Sequence, residues 1–191
     1  AHVQGKWRCA GPVRVKGGAA QQLAVDFSGD ELGAQLAIGK SRIEYGRATG
    51  AGDAKRVRLV KVPVAWLKDF LAGLWEQGHW NNGSLDGAID IDAPGQGPLR
   101  VRTDLQLAGV GVETPDGTLA ASGLNGRLRV DYRSQDERES VDVDFLAHGG
   151  ELLFQRFYSK LPDGDVQVQV SMQREGDKPW RLPRLRWRDA G

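Results

Sequence analysis

From Leu99 to Leu107 the chain reads Leu-Arg-Val-Arg-Thr-Asp-Leu-Gln-Leu, apolar and polar residues alternating over nine positions. Only an extended strand sorts such a segment cleanly, because successive side chains point to opposite faces. The same period of two returns at Val13 and Val15, at Leu23, Val25 and Phe27, at Leu36 and Ile38, at Ile43 and Tyr45, and at Val57 and Leu59. It continues at Ile89 and Ile91, at Leu128, Val130 and Tyr132, at Val141, Val143 and Phe145, and from Val166 to Met172. The pattern predicts about a dozen strands, each with one dry face and one wet face, as in an antiparallel sheet.

Turn chemistry separates these runs. Asn82-Gly83, Pro94 to Pro98, Thr114-Pro-Asp-Gly-Thr118 and Glu175-Gly-Asp-Lys178 carry the residues that preset or tolerate turn dihedrals. Gly17-Gly18, Ser28-Gly29-Asp30, the loop Gly50 to Asp53, the charged loop Ser134 to Ser140, His148-Gly149-Gly150 and Leu161-Pro-Asp-Gly-Asp165 read the same way. Leu85-Asp-Gly87 and Leu124-Asn-Gly126 repeat one signature, a leucine and a glycine two residues on, which predicts a strand leaving a tight corner.

One stretch breaks the alternation. In Pro63 to Gln77, Leu67, Phe70, Leu71, Leu74 and Trp75 fall at helical spacing, with Pro63 suited to a first turn and Gly78 to a C-terminal cap. The expected fold is therefore mainly β: a curled antiparallel sheet, a half-barrel or groove or a closed sandwich, with one short helix at about 63–77. A single domain spans 1–191, with first strands over 1–61 and the remaining meander over 80–189. Alternation gathers Leu99, Val101, Leu105, Leu107, Leu128, Val130, Val141, Val143, Phe145, Val166, Val168 and Val170 on one surface.

Charge narrows the partners. The net charge is +1, which argues against a dedicated nucleic-acid binder. Residues 1–61 nevertheless carry +6, residues 62–179 carry −8 and residues 180–191 carry +3. A basic start suits an acidic surface, and equally a solvated face. Cys9 is the sole cysteine, so no intrachain disulfide forms, and a buried, inert thiol is expected. No apolar run approaches the eighteen or so residues that span a bilayer as a helix. The chain begins at Ala1, as a mature or excised piece would.

No catalytic constellation emerges. His2, His79 and His148 lack a second ligand at metal spacing. Asp90 with Asp92, and Asp142 with Asp144, alternate with apolar residues and belong to the solvent side of strands. The serines at Ser28 and Ser122 have no nucleophile elbow around them, and no phosphate-binding glycine loop precedes a helix. The expectation is a protein that is not an enzyme and uses no cofactor or metal. Trp66, Trp75 and Trp80 flank the helical stretch, where they suit a core. Trp180 and Trp187 suit either a core or a sugar-stacking platform.

Pro63 to Gln77, Gly83-Ser-Leu-Asp-Gly-Ala-Ile-Asp-Ile91, Leu124 to Leu128, Gly150 to Tyr158 and Trp180 to Asp189 together resemble the AsmA-like superfamily of bacterial envelope proteins, with its TamB and YdbH relatives. The resemblance covers about two thirds of the chain, from residue 63 onward. It implies a long curled sheet whose apolar trough shelters lipid acyl chains, with the twelve residues above as the lipid groove. It implies a place in the bacterial periplasm or on the periplasmic face of the inner membrane, with the family's usual membrane anchor not in this chain. A dozen strands stack to roughly 55–60 Å, so the implied role is a segment, shuttle or component of an envelope pathway. Two other expectations stand beside it. One is a structural or interaction subunit of a secretion or pilus machine; the other is a carbohydrate-binding β-sandwich.

Overall fold

The structure is a computed structural model that describes residues 2–3, 6–14, 20–28, 31–48, 54–67, 78–95 and 97–189. The first six strands are β1 (His2–Val3), β2 (Lys6–Arg14), β3 (Ala20–Ser28), β4 (Glu31–Ile38), β5 (Ser41–Arg47) and β6 (Lys55–Pro63). A 3₁₀ turn, Val64–Leu67, follows, then β7 (His79–Trp80) and β8 (Ser84–Asp92). Four long strands come next: β9 (Leu99–Glu113), β10 (Leu119–Gln135), β11 (Arg138–Phe154) and β12 (Phe157–Glu175). The last is β13 (Arg181–Asp189). All thirteen join one antiparallel sheet in chain order, except that β7 pairs with β9 beside β8. Among the described residues the two ends of this meander do not pair, so the sheet is neither a closed barrel nor a sandwich.

The helix expected at 63–77 can be examined over its first five residues. There β6 runs through Pro63, whose missing N–H suits a strand end, and a 3₁₀ turn occupies Val64–Leu67. Residues 68–77 lie outside the described residues, as do Gly17-Gly18, Gly29-Asp30 and 49–53.

Several expected turns are instead bulges inside strands. The β11–β12 hairpin turns at Gln155-Arg156, because Phe154 pairs with Phe157. His148-Gly149-Gly150 therefore lies within β11 and Leu161 to Asp165 within β12. His148 pairs with Asp165 and Gly150 with Leu161, so Pro162 to Gly164 bulge opposite the single Gly149. Ser122-Gly123 likewise lies within β10, at a register shift against β9. The charged loop shrinks to Asp136-Glu137, since Gln135 already pairs with Arg138. Glycine signals an irregularity in both settings, and local sequence does not separate a bulge from a turn. The Thr114 to Thr118 turn forms as expected, with Gly117 N–H donating to Thr114 O (2.9 Å) and Thr118 N–H to Asp116 Oδ1 (3.1 Å).

Most bulges lie close together. Shifts around Leu124 in β10, at Gly149 in β11 and at Pro162–Gly164 in β12 occupy three successive strands just beyond Gly126, Ala147 and Val166, and the Leu59/Val62 shift in β6, two strands away from β10, adjoins Val62 in the same register row. Bulges bend strands and sharpen twist, and buried residues gather here: Val62, Val64, Leu85, Val110, Leu124, Ala147, Leu161 and Val166. Trp66, Leu67 and Trp80 pack against the cluster, as expected for the two tryptophans.

The repeated Leu-x-Gly signature has a steric meaning here. Gly87 opens β8 close to its start, but Gly126 sits in mid-strand, so the motif is not a strand-starting corner in both copies. Both glycines have positive φ, 137° and 150°. A Cβ on Gly87 would meet Asp104 O at 2.1 Å, and one on Gly126 would meet Leu146 O at 2.2 Å. Each glycine admits a neighbouring strand's carbonyl where a side chain would stand. Gly126→Ala is expected to destabilise the fold by about 2–3 kcal/mol in chemical denaturation. Gly46→Ala, at a site with open space, should change stability by less than about 1 kcal/mol. Equal effects would remove this account of the motif.

Candidate functional site

Register decides which side chains share a surface. One row across the sheet reads Tyr45, Val57, Ile89, Thr103, Val130, Val143, Val170, Leu185. The next reads Ile43, Leu59, Gly87, Leu105, Leu128, Phe145, Val168, Trp187. A third row, on the outer side of the first, holds Ile91, Val101, Tyr132, Val141 and Met172. The fourth, at the bulges, holds Val62, Leu85, Leu107, Gly126, Ala147 and Val166. Eleven of the twelve residues expected to share a surface fall into these rows, and Leu99 joins them by alternation two residues before Val101. The sequence list stopped at β9 and missed Val57, Leu59, Ile89 and Ile91 on one side and Leu185 and Trp187 on the other. Their own alternation is the signal that finds them.

Burial along this face is uneven. Leu105 and Val166 are buried, while the other ten of the twelve are half-buried. Among the described residues no second layer covers them. Cys9 continues the first row through Val25 and Ala34. It is exposed, which corrects the buried thiol expected above, because this part of the face also lies uncovered. Trp187 and Leu185 on β13 are 52% and 63% exposed.

The opposite face is charged and largely satisfied within itself. Arg56 donates two hydrogen bonds to Asp90 (2.6 and 2.9 Å), and Arg100 donates two to Asp131 (3.0 and 2.6 Å). Arg127 grips Asp104 in the same forked way, and Arg133 adds a second fork on Asp131. Cross-strand neighbours and diagonals supply the partners of Arg56, Arg100 and Arg127, while Arg133 lies two residues along Asp131's own strand. The Arg100 hydrogen bonds, assisted by Arg133, hold the Asp131 carboxyl well below the usual carboxylate range. Arg56 lowers Asp90 and Arg127 lowers Asp104 by the same means. Tyr132 reaches from the apolar face's outer row to donate to Glu139 (2.8 Å), and burial pushes its own phenol up.

His148 Nδ1 lies 2.7 Å from Asp165, both exposed, and no group of three or more His, Cys, Asp or Glu among the described residues is placed to hold a metal. Asp90 and Asp142 serve cross-strand bonding, to Arg56 and to Ser171. A shallow hollow of about 870 Å³ lies on the charged face over Arg58, Asp86, Ala88 and Gln106. The candidate site is therefore the apolar face, a surface and not a pocket. Comparison with protein-family models, curated proteins and solved structures gives no match.

Two outcomes follow from these faces. Val166→Ala should cost on the order of 2 kcal/mol and Val170→Ala less than about 1 kcal/mol in urea unfolding, because only the first leaves a cavity in packed surroundings. Equal losses would mean that the open face is as well packed as the bulge row. The second concerns pH. The three aspartates titrate lower folded than unfolded, so the folded state binds fewer protons in the acid range. Their contribution is complete above the unfolded value of about 3.9 and is lost as pH falls through the lowered folded values. The melting temperature should hold between about pH 7 and 5 and drop below about pH 4, with a shallower drop in Asp131→Asn. An identical acid limb in that variant would show that the Arg100–Asp131 fork contributes nothing.

Proposed function

We propose that this chain is a non-enzymatic module of the bacterial cell envelope, of the AsmA-like kind, whose apolar sheet face handles lipid acyl chains on the periplasmic side of the inner membrane. One observation carries the reading: three apolar rows run in register from β6 to β12 and a fourth from β8 to β12, two of them on to β13, and most of their residues stay half-exposed. Seven strands at about 4.8 Å give roughly 29 Å of breadth, and four rows two residues apart give about 20 Å along the strands. That area, roughly 580 Å², lies at the upper end of the roughly 300–600 Å² usual for the largest apolar patch on a monomer, a size often functional. An acyl chain of about 15 Å, half a bilayer's hydrocarbon core, fits within it. Each methylene removed from water contributes about 0.8 kcal/mol.

The charged face supports the same reading from the other side. Its arginines and aspartates pair with one another, so one side of the sheet suits water while the other suits hydrocarbon. Affinity arises from summed contact, and no single residue is essential to it. Among the described residues no helix is long and apolar enough to cross a membrane. A second reading, a structural or interaction subunit of a secretion or pilus machine, is favoured by the outer edge of β13, with which no described strand pairs.

Native mass spectrometry of protein purified from cells tests the lipid reading. Phospholipid should co-purify, and Val143→Asp with Val170→Asp should abolish it while leaving cooperative thermal unfolding in place. A clean apo mass, with no uptake of an added lipid analogue, overturns it.

A further inference from the structure

The charged face follows a rule that stops at β13. From β6 to β10, where a strand presents arginines, a neighbouring strand presents aspartates: Arg56 on β6 meets Asp90 on β8, Arg100 on β9 meets Asp131 on β10, and Arg127 on β10 meets Asp104 on β9. β13 presents Arg184, Arg186 and Arg188 on this face, opposite Ser171, Gln169 and Gln167 of β12. Those three residues carry no charge and already donate to β11, Ser171 to Asp142 (2.7 Å) and Gln167 and Gln169 to Asp144 (2.9 and 3.2 Å). Among the described residues the three arginines form no ion pair. All of β13 is exposed, and no described strand pairs with its outer edge.

We propose that this edge accepts an extended segment of a partner protein in which acidic and apolar residues alternate, adding one more antiparallel strand. Backbone groups on the outer edge of Arg184–Arg188, with which no described strand pairs, supply the hydrogen bonds. These five residues keep unbroken register with β12, and Pro183 lies at the register shift beyond them. Partner carboxylates would then face Arg184, Arg186 and Arg188, and its apolar residues would continue the rows that end at Leu185 and Trp187. The same arginines argue against self-pairing. A second β13 would set arginine against arginine, and at the far edge, where the two-residue β1 pairs with Lys6 and Trp7 alone, β2 carries Lys6, Arg8 and Arg14 in its sequence. The inference goes beyond lipid handling, since an occupied edge neither needs nor supplies a lipid.

The chain already contains a strand of the required chemistry. β8, Ser84–Asp92, alternates Leu85, Ile89 and Ile91 with Asp86, Asp90 and Asp92, and lies between the arginine-bearing β6 and β9. A fluorescein-labelled peptide of that sequence is the probe, read by anisotropy and by amide hydrogen exchange of the intact protein. It should bind and slow exchange within Arg181–Asp189. The triple variant R184E/R186E/R188E should weaken binding at least about tenfold, equivalent to about 1.4 kcal/mol, and a peptide with its three aspartates changed to lysine should restore it. A peptide carrying Ile89→Pro should fail, because strand addition needs the extended backbone. Absence of binding, binding unaffected by charge reversal or by the proline, or protection confined to strands other than β13 overturns the proposal. So does attachment of phosphatidylglycerol vesicles through the same arginines without peptide binding, which would assign the arginine row to a membrane surface.

Discussion

A one-residue slip between β9 and β10 would carry Leu128 and Val130 to the charged face and bring Arg127 and Arg129 to the apolar one. In a sandwich, a second layer packed on the dry face opposes such a slip. Here most of the dry face is half-exposed, so other interactions must hold register. Forked arginine–aspartate pairs between neighbouring strands do so, because both groups lose their geometry when a strand moves by one residue. The single sheet, the continuous apolar rows and the open edge all depend on that lock.

Packing is concentrated where the sheet bends. The neighbouring bulges bring Val62, Val110, Leu124, Ala147, Leu161 and Val166 together as the one dense cluster among the described residues. Rigidity at that end and openness elsewhere follow from a single device, glycines and one Pro-Asp-Gly segment at matching heights on successive strands. Asn125 completes it. Its Oδ1 accepts from Gly109 N–H (2.9 Å) and its amide donates to Gly123 O (2.8 Å), satisfying backbone groups that the bulge in β10 releases from the ladder.

The two faces and the edge form one argument about function. A sheet that satisfies its charges internally on one side and leaves aliphatic rows uncovered on the other is suited to a hydrocarbon ligand. The arginines of β13 are the exception to that internal pairing, and they sit where a further strand would lie. Under the two proposals, a lipid on the face and a partner at the edge would use different groups.

Much of this was written in the chain itself. Period-two alternation identified the strands and assigned Leu105, Leu128, Phe145 and Val168 to one surface, because side-chain direction in a strand depends only on parity. Turn residues at Thr114–Thr118 and Glu175–Lys178 acted as local chemistry says they should. What the chain could not show was whether a glycine ends a strand or bends it. His148-Gly149-Gly150 and Leu161–Asp165 became bulges because the strands beside them continue, and that information lies on other segments. The same holds for Gly126, whose need for an absent Cβ is set by the Leu146 carbonyl twenty residues away, and for Cys9, exposed because no layer arrives to cover it. Parity is local and was legible; register, closure and cover are relations between distant segments, and only the assembled sheet decided them.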